Sequence, residues 1–199
     1  MIGTERANNL ELGVKSTLWD NRLQLNGNLF WTEVHGYQTT AYDDANRVQY
    51  LTNAGAVRSR GLELESILVP IQGLTLNLNG SYNDVRYTSY KDAPCPPEVS
   101  FQAGAPASCD LTGHQVVGAS KYIANANGEY KWNWDNGLEE YVTASYAYRS
   151  KAVGTVEDSE YAQIPGYGIV NLSTGFRGDL GQGQWDVSLW LKNAFDKTY

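Results

Sequence analysis

The sequence predicts an all-β fold: an antiparallel, up-and-down sheet of about eight strands, built as a transmembrane β-barrel segment and left as an open curved sheet. Three observations carry this reading. Apolar and polar side chains alternate strictly in about eight separate stretches, the connections between them switch between short and long, and each stretch is long enough to cross an apolar layer. Period two marks a strand whose two faces meet different surroundings, and no stretch shows comparable helical spacing.

The alternation runs through the chain in order. Leu10, Leu12, Val14 and Leu18 oppose Glu11, Gly13, Lys15 and Thr17. Leu23, Leu25, Leu29 and Trp31 oppose Gln24, Asn26, Asn28 and Thr32. Leu62, Leu64 and Leu68 oppose Gly61, Glu63 and Glu65, and Leu74, Leu76, Leu78 and Tyr82 oppose Thr75, Asn77, Asn79 and Ser81. Tyr122, Ala124, Ala126 and Tyr130 oppose Asn125, Asn127, Glu129 and Lys131, and Val142, Ala144, Tyr146 and Tyr148 oppose Tyr141, Thr143, Ser145 and Arg149. Val170, Leu172 and Phe176 then oppose Asn171, Ser173 and Arg177, and Trp185, Val187, Leu189 and Leu191 oppose Asp186, Ser188 and Lys192.

Residues 19–22, 70–73, 133–137 and 178–183 read as tight or nearly tight turns, rich in residues that tolerate φ > 0. Residues 36–49, 88–120 and 150–165 read as long polar loops. Short turns therefore fall at one edge of the sheet and long loops at the other, an asymmetry of outer-membrane barrels. A soluble β-sandwich enzyme or lectin has no reason to sort its loops this way. Leu23 to Trp31 spans ~27 Å at ~3.4 Å per residue, and a ~40° tilt projects this to ~20 Å, near the ~25 Å apolar band of such barrels. Trp19, Trp31, Tyr82, Tyr130, Trp132, Tyr146, Tyr148, Phe176 and Trp185 gather near strand ends, as interfacial girdles require.

Composition agrees. Glycine (20), tyrosine (14) and tryptophan (6) suit pleated surfaces and turns. The net charge of −7 excludes a chain built to neutralise nucleic-acid phosphates. A mean hydropathy of −0.44 does not argue against a barrel, because lumen-facing residues average away the lipid-facing ones. No run approaches the ~20 apolar residues of a spanning helix. Met1–Arg6 lacks the apolar core of a secretion signal, so the N-terminus of a complete outer-membrane protein is expected to lie elsewhere or to have been removed.

Several segments resemble the TonB-dependent outer-membrane receptors. Glu5, Asn9, Glu11, Gly13 and Lys15 are similar to a segment of that family reading E…N-x-E-x-G-x-K. Asn53-Ala54-Gly55 followed by Arg60-Gly61-Leu62-Glu63-Leu64-Glu65 resembles its N-x-G…G-x-E-x-E strand. Leu111-Thr112-Gly113-His114 through Lys121-Tyr122 is similar to a loop-to-strand passage, with Ser120 where proline is common. Ile164-Pro165-Gly166-Tyr167 with Val170-Asn171-Leu172 resembles a late barrel element. Leu191-Lys192-Asn193-Ala194-Phe195-Asp196-Lys197-Thr198-Tyr199 resembles N-L-F-D-x-x-Y, with Ala194 in place of leucine. The resemblance covers almost the whole chain. It implies that residues 1–199 form part of a barrel of about 22 strands, with the plug domain, the TonB box and the final strand absent. It further implies localisation in the bacterial outer membrane, contact with its lipid, and TonB-dependent active uptake of a scarce ligand such as an iron–siderophore complex. In the whole receptor the partners would be the plug, the TonB complex and that small molecule. A self-contained eight-stranded barrel with a structural or adhesive role is the alternative, and it needs the last strand to pair with the first.

Little in the sequence suggests chemistry. Cys95 and Cys109 lack the companion ligands of a zinc site. A disulfide between them is the expectation, with two free loop thiols as the alternative. Closing such a ~15-residue loop restrains it by roughly 3 kcal/mol in the chain-entropy model and implies an oxidising compartment. Glu63 and Glu65 are paired carboxylates on one strand face. Acid–base work would need a cleft and a nucleophile or water site, so they are read as lumen carboxylates hydrogen-bonded to asparagines, Glu65 facing Asn77 and Glu63 facing Asn79. His35 and His114 stand alone in loops. No nucleophile-elbow, phosphate-loop or zinc-protease motif occurs, so no catalytic residue, metal or cofactor is assigned and the chain is read as not an enzyme. Tyr87, Tyr90, Phe101 and Tyr161, in or beside the long loops, are candidate ligand contacts by resemblance and loop-packing residues otherwise.

Overall fold

The computed structural model describes residues 2–43, 48–135 and 137–199. Residues 44–47 of the expected loop 36–49, Asn136 of the expected turn 133–137, and Met1 lie outside the described residues. In chain order the elements are β1 (Arg6–Leu18), β2 (Leu23–His35), β3 (Gln38–Asp43), β4 (Val48–Asn53), β5 (Ala56–Leu68), β6 (Leu74–Ser89), α1 (Pro97–Ser100), β7 (Tyr122–Asn133), β8 (Glu139–Arg149), β9 (Ala152–Val153), a 3-10 turn (Glu160–Ala162), β10 (Gln163–Ile164), β11 (Tyr167–Leu180) and β12 (Gly183–Leu191).

Eight of these strands form one sheet in the order β1-β2-β5-β6-β7-β8-β11-β12, each antiparallel to its neighbours. This is the expected up-and-down order. The remaining four strands make two small two-stranded sheets, β3–β4 and β9–β10, inside the long connections. Residues 36–49 were expected to be polar loop. Instead, β-favouring Thr39 and Thr40 pair with Thr52 and Leu51, so the described part of the connection forms a two-stranded ladder. Among the described residues β1 and β12 have no partner on their outer edges, and the sheet does not close.

Cross-strand register keeps the two faces chemically distinct. On one face lie rows such as Leu12–Leu29–Leu62–Tyr82–Tyr122 and Leu18–Leu23–Leu68–Leu76–Gly128–Ala144–Leu172–Leu191. Lys15–Asn26–Glu65–Asn79–Asn125 runs across the other. The apolar face stays open: Leu12 is 68% exposed and Leu189 77%. Hydrophobic burial therefore does not come from the sheet folding on itself.

The turns explain the register. Asp20 and Asn21 take positive φ, as their short polar side chains allow, and so does Trp19 between them and β1. The connection after β5 is wider than a tight turn. Val69 donates back to the carbonyl of Arg22, while the carbonyl of Gly73 accepts from Lys131, so these residues pair outward to β2 and β7. Leu68 consequently faces Leu76, two residues beyond the pairing a turn at 70–73 predicts. The expected Glu65–Asn77 and Glu63–Asn79 pairs are corrected to Glu65–Asn79 and Glu63–Ser81. Gly73 holds φ +84°, and a Cβ there would stand 2.3 Å from the Lys131 carbonyl oxygen, so the bend requires glycine.

Candidate functional site

The cluster of buried apolar residues lies at the loop edge of the sheet, where the ends of β5 and β6 meet the long connections. Ala54, Val57, Tyr87, Tyr90, Ala93, Leu111 and Val116 pack together, with Tyr37, Val85, Val117 and Val156 against them. β6 runs past the end of β7, still paired with β5, to deliver Tyr87, and the chain returns alongside it: Tyr87 donates to the His114 carbonyl, and Gly113 donates to that of Tyr87. Tyr90 follows, its ring centroid 5.0 Å from that of Tyr87. Burial pushes the Tyr90 phenol up to about 12, with the nearby Tyr50 and Glu157 adding to the shift.

A stapled loop stands on this core. Cys95 and Cys109 are joined, their sulfur atoms 1.96 Å apart, beside a backbone bridge between Ala93 and Cys109. α1 begins inside the staple, with Pro97 at its first position, where a missing N–H costs nothing. Glu98 on α1 then reaches the third long connection. Its carboxylate accepts from the Ser159 hydroxyl (2.9 Å) and the Glu160 N–H (2.8 Å). Desolvation works against the charged form, but these two donors prevail and hold the Glu98 carboxyl below its ordinary value. His114 Nδ1 lies 2.7 Å from the Asp158 carboxylate, and Gly118 donates to the Val153 carbonyl. Arg149 reaches the Ser120 hydroxyl at 3.0 Å and 3.2 Å. The second and third long loops thus form one docked cap.

The four loop aromatics divide. Tyr87 and Tyr90 are buried in the cap's core, at 1% and 4% exposure. Phe101, at the end of α1, and Tyr161, in the 3-10 turn, are 88% and 82% exposed. The Glu98 latch pins together the two elements that carry them. Sequence reasoning missed the latch. Ser159 sits as a helix-capping residue before Glu160, and that was the one available signal.

On the polar face Glu63, Glu65, Asn77 and Asn79 project to the same side. Glu65 stands between Asn26 and Asn79 in the cross-strand row, and Glu63 between Asn28 and Ser81. Nearer the short turns, Arg177 gathers three carboxylates: Asp186 at 2.8 Å, Glu139 at 3.3 Å and Glu129 at 3.4 Å. Its guanidinium lies 3.9 Å from the centre of the Tyr141 ring, whose hydroxyl donates to Asp186. Sequence spacing placed Arg177 and Asp186 on polar faces but could not show that they meet. Among the described residues no three His, Cys, Asp or Glu side chains are placed to hold a metal ion.

An open antiparallel sheet with one apolar and one polar face, short turns at one edge and a folded cap at the other, defines a barrel segment of the membrane-crossing kind. No described helix is long and apolar enough to cross a membrane. A family model for "TonB dependent receptor-like, beta-barrel" matches residues 2–194, and the chain belongs to that family. Among solved structures it is similar to FyuA, the ferric yersiniabactin uptake receptor of Yersinia pestis, at TM-score 0.70 and 17% identity over 97% of this chain. It is also similar to BauA, the ferric preacinetobactin receptor of Acinetobacter baumannii, at TM-score 0.68 and 16% identity over 96% of this chain. The siderophore receptor PiuA of the same organism matches 96% of it at TM-score 0.66 and 21% identity. The chain spans 25% of FyuA, 25% of BauA and 24% of PiuA.

Proposed function

We propose that residues 1–199 form part of the barrel of an outer-membrane receptor that takes up a scarce small molecule, such as an iron–siderophore complex, by TonB-dependent active transport. The observation that carries this reading is the pairing of an unclosed, two-faced sheet with a preassembled loop cap. The sheet supplies a wall with a wet side, and the cap supplies a surface above it. In this reading the polar row with Glu63, Glu65, Asn77 and Asn79 faces the lumen and the plug domain. Phe101 and Tyr161 offer rings to a ligand, while Tyr87 and Tyr90 build the platform beneath them. The energy comes from the TonB complex, and no turnover chemistry belongs to the chain.

The test is uptake of a labelled ferric siderophore by cells whose only such receptor is the one carrying this chain. Replacing both Phe101 and Tyr161 by Ala is expected to weaken binding at least about tenfold, from ~1 kcal/mol for each lost aromatic contact, while leaving the receptor in the membrane. Uptake that persists without the TonB complex would refute the reading.

A further inference from the structure

We propose that the apolar face carries a binding site for an anionic, phosphate-bearing lipid, made by Arg58 and Arg60, both packed on the Trp31 ring, above a groove lined by Leu10, Leu12, Leu29 and Leu62. Even-numbered positions of β5 lie on the apolar face, as Leu62 and Leu64 do, so Arg58 and Arg60 lie there too. The row Leu12–Leu29–Leu62–Tyr82 is apolar and aromatic, and the next row toward the loops is Leu10–Trp31–Arg60–Asp84. The guanidinium carbons of Arg58 and Arg60 stand 5.1 Å and 5.6 Å from the centre of the Trp31 ring. Tryptophan with arginine at this level suits the boundary between hydrocarbon and headgroups, where a cation's cost falls close to nothing.

Charge and hydrogen bonding identify the occupant. The charged groups on this part of the face are Arg6, Arg58, Arg60 and Arg86 against Glu33 and Asp84, an excess of two positive charges on a chain of net charge −7. Arg86 is committed, its Nε 2.7 Å from Asp84 and its Nη1 donating to the Gly113 carbonyl. Arg60 reaches Asp84 only at 3.4 Å, with its side chain 47% exposed. Arg58 Nε is buried without a hydrogen-bond partner. The two arginines are two residues apart on one strand, hence ~7 Å apart along it. Both guanidinium forks are gathered on the one Trp31 ring, and such forks suit phosphate oxygens, which accept in bidentate fashion. The groove directly beneath gives acyl chains an apolar track. Head and tail requirements meet in a lipid and in no small polar anion. The proposal rests on the apolar face meeting lipid, a property of the barrel and not of its cargo, so its failure leaves the uptake reading untouched.

The experiment is native mass spectrometry of the purified receptor carrying this chain, with phosphatidylglycerol or phosphatidylcholine of matched acyl chains added to the micelles. Wild type is expected to prefer phosphatidylglycerol on the order of thirtyfold, from about fivefold per basic residue beside an anionic lipid. R58Q/R60Q is expected to lose that preference, while K91Q, at an exposed loop lysine, keeps it. W31L, which leaves both charges, is expected to lower it several-fold and serves where the double variant does not fold. An unchanged preference in R58Q/R60Q or W31L overturns the proposal. So does displacement of the lipid by inorganic phosphate at equal concentration, since the groove would then contribute nothing.

Discussion

Gly61 and Gly80 lie on facing strands of the same sheet, yet a methyl group should affect them oppositely. A Cβ at Gly61 would stand 1.9 Å from the Tyr82 carbonyl oxygen and 2.7 Å from the edge of the Phe30 ring. Ordinary contact distances are near 3.5 Å, so backbone and ring must together yield by roughly 1.5 Å. Phe30 can turn, but the carbonyl belongs to the β5–β6 ladder and cannot move without disturbing it. Gly61→Ala is therefore expected to destabilise by about 3 kcal/mol, the upper end of overpacking costs. At Gly80 the nearest atom to a Cβ is the Ile123 carbonyl oxygen at 3.7 Å. Gly80→Ala meets ordinary contact and reduces backbone entropy in the unfolded chain, so a gain of about 0.5 kcal/mol is expected. Urea titration in detergent micelles, followed by tryptophan fluorescence, reads both. Phe30→Ala in the Gly61→Ala background should recover only part of the loss. Equal midpoints for the two alanine variants, or full recovery with Phe30→Ala, would refute the carbonyl argument.

Three further outcomes follow. The oxidised chain should be two hydrogens lighter than the reduced one by non-reducing mass measurement, and Cys95→Ser with Cys109→Ser should loosen the cap by roughly 3 kcal/mol, read as faster proteolysis between residues 93 and 111; native thiols that alkylate readily would contradict this. Arg177→Ala leaves Asp186, Glu139 and Glu129 without their shared cation, and because the site is partly solvated the expected loss is about 1 kcal/mol, with an unchanged urea midpoint as the contrary result. Glu98 has a folded-state pKa held below its ordinary 4.5, so the latch contributes fully above that value and is lost as pH falls through the lower folded one; loop proteolysis should rise in that window in wild type and show no such step in Glu98→Gln.

What the sequence made legible follows from what alternation can encode. Leu12, Leu29, Leu62 and Tyr82 were assigned to one face because their parity alone decides it. Register across a turn depends on which neighbour the turn residues pair with. Val69 and Gly73 bond outward to Arg22 and Lys131, and that two-residue displacement moved Asn79 opposite Glu65. The cap was less legible still. Glu98, Ser159, His114 and Asp158 come from loops separated by 44 to 61 positions in sequence, and no local pattern announces such meetings. The aromatics show the same limit. Tyr87 and Phe101 look alike as loop residues, and only packing separates the buried ring from the exposed one.

The molecule answers to two solvents, which explains why its core sits where it does. In the sheet, backbone groups are satisfied by the ladder, and the side chains of one face are left for hydrocarbon to cover. Leu10, Leu12, Val14, Leu189 and Leu191 are exposed, and in the proposed receptor lipid, not other side chains, would complete their environment. Past the membrane boundary that option ends. The loops must bury their own apolar groups, and they do so as a small soluble unit would, with a cluster around Tyr87, a disulfide and charge-assisted latches. This predicts that stability is divided. Mild reduction combined with low pH should open the cap, read as proteolysis at exposed Phe101 and Tyr161, while the tryptophans of the sheet keep their folded-state fluorescence. The staple and the Glu98 latch both lie outside the main ladder, although the cap's apolar core also takes Val57 from β5 and Tyr87 from β6. Loss of both signals in a single step at one pH would show that cap and sheet unfold as one unit through the shared Val57 and Tyr87, and would refute the prediction.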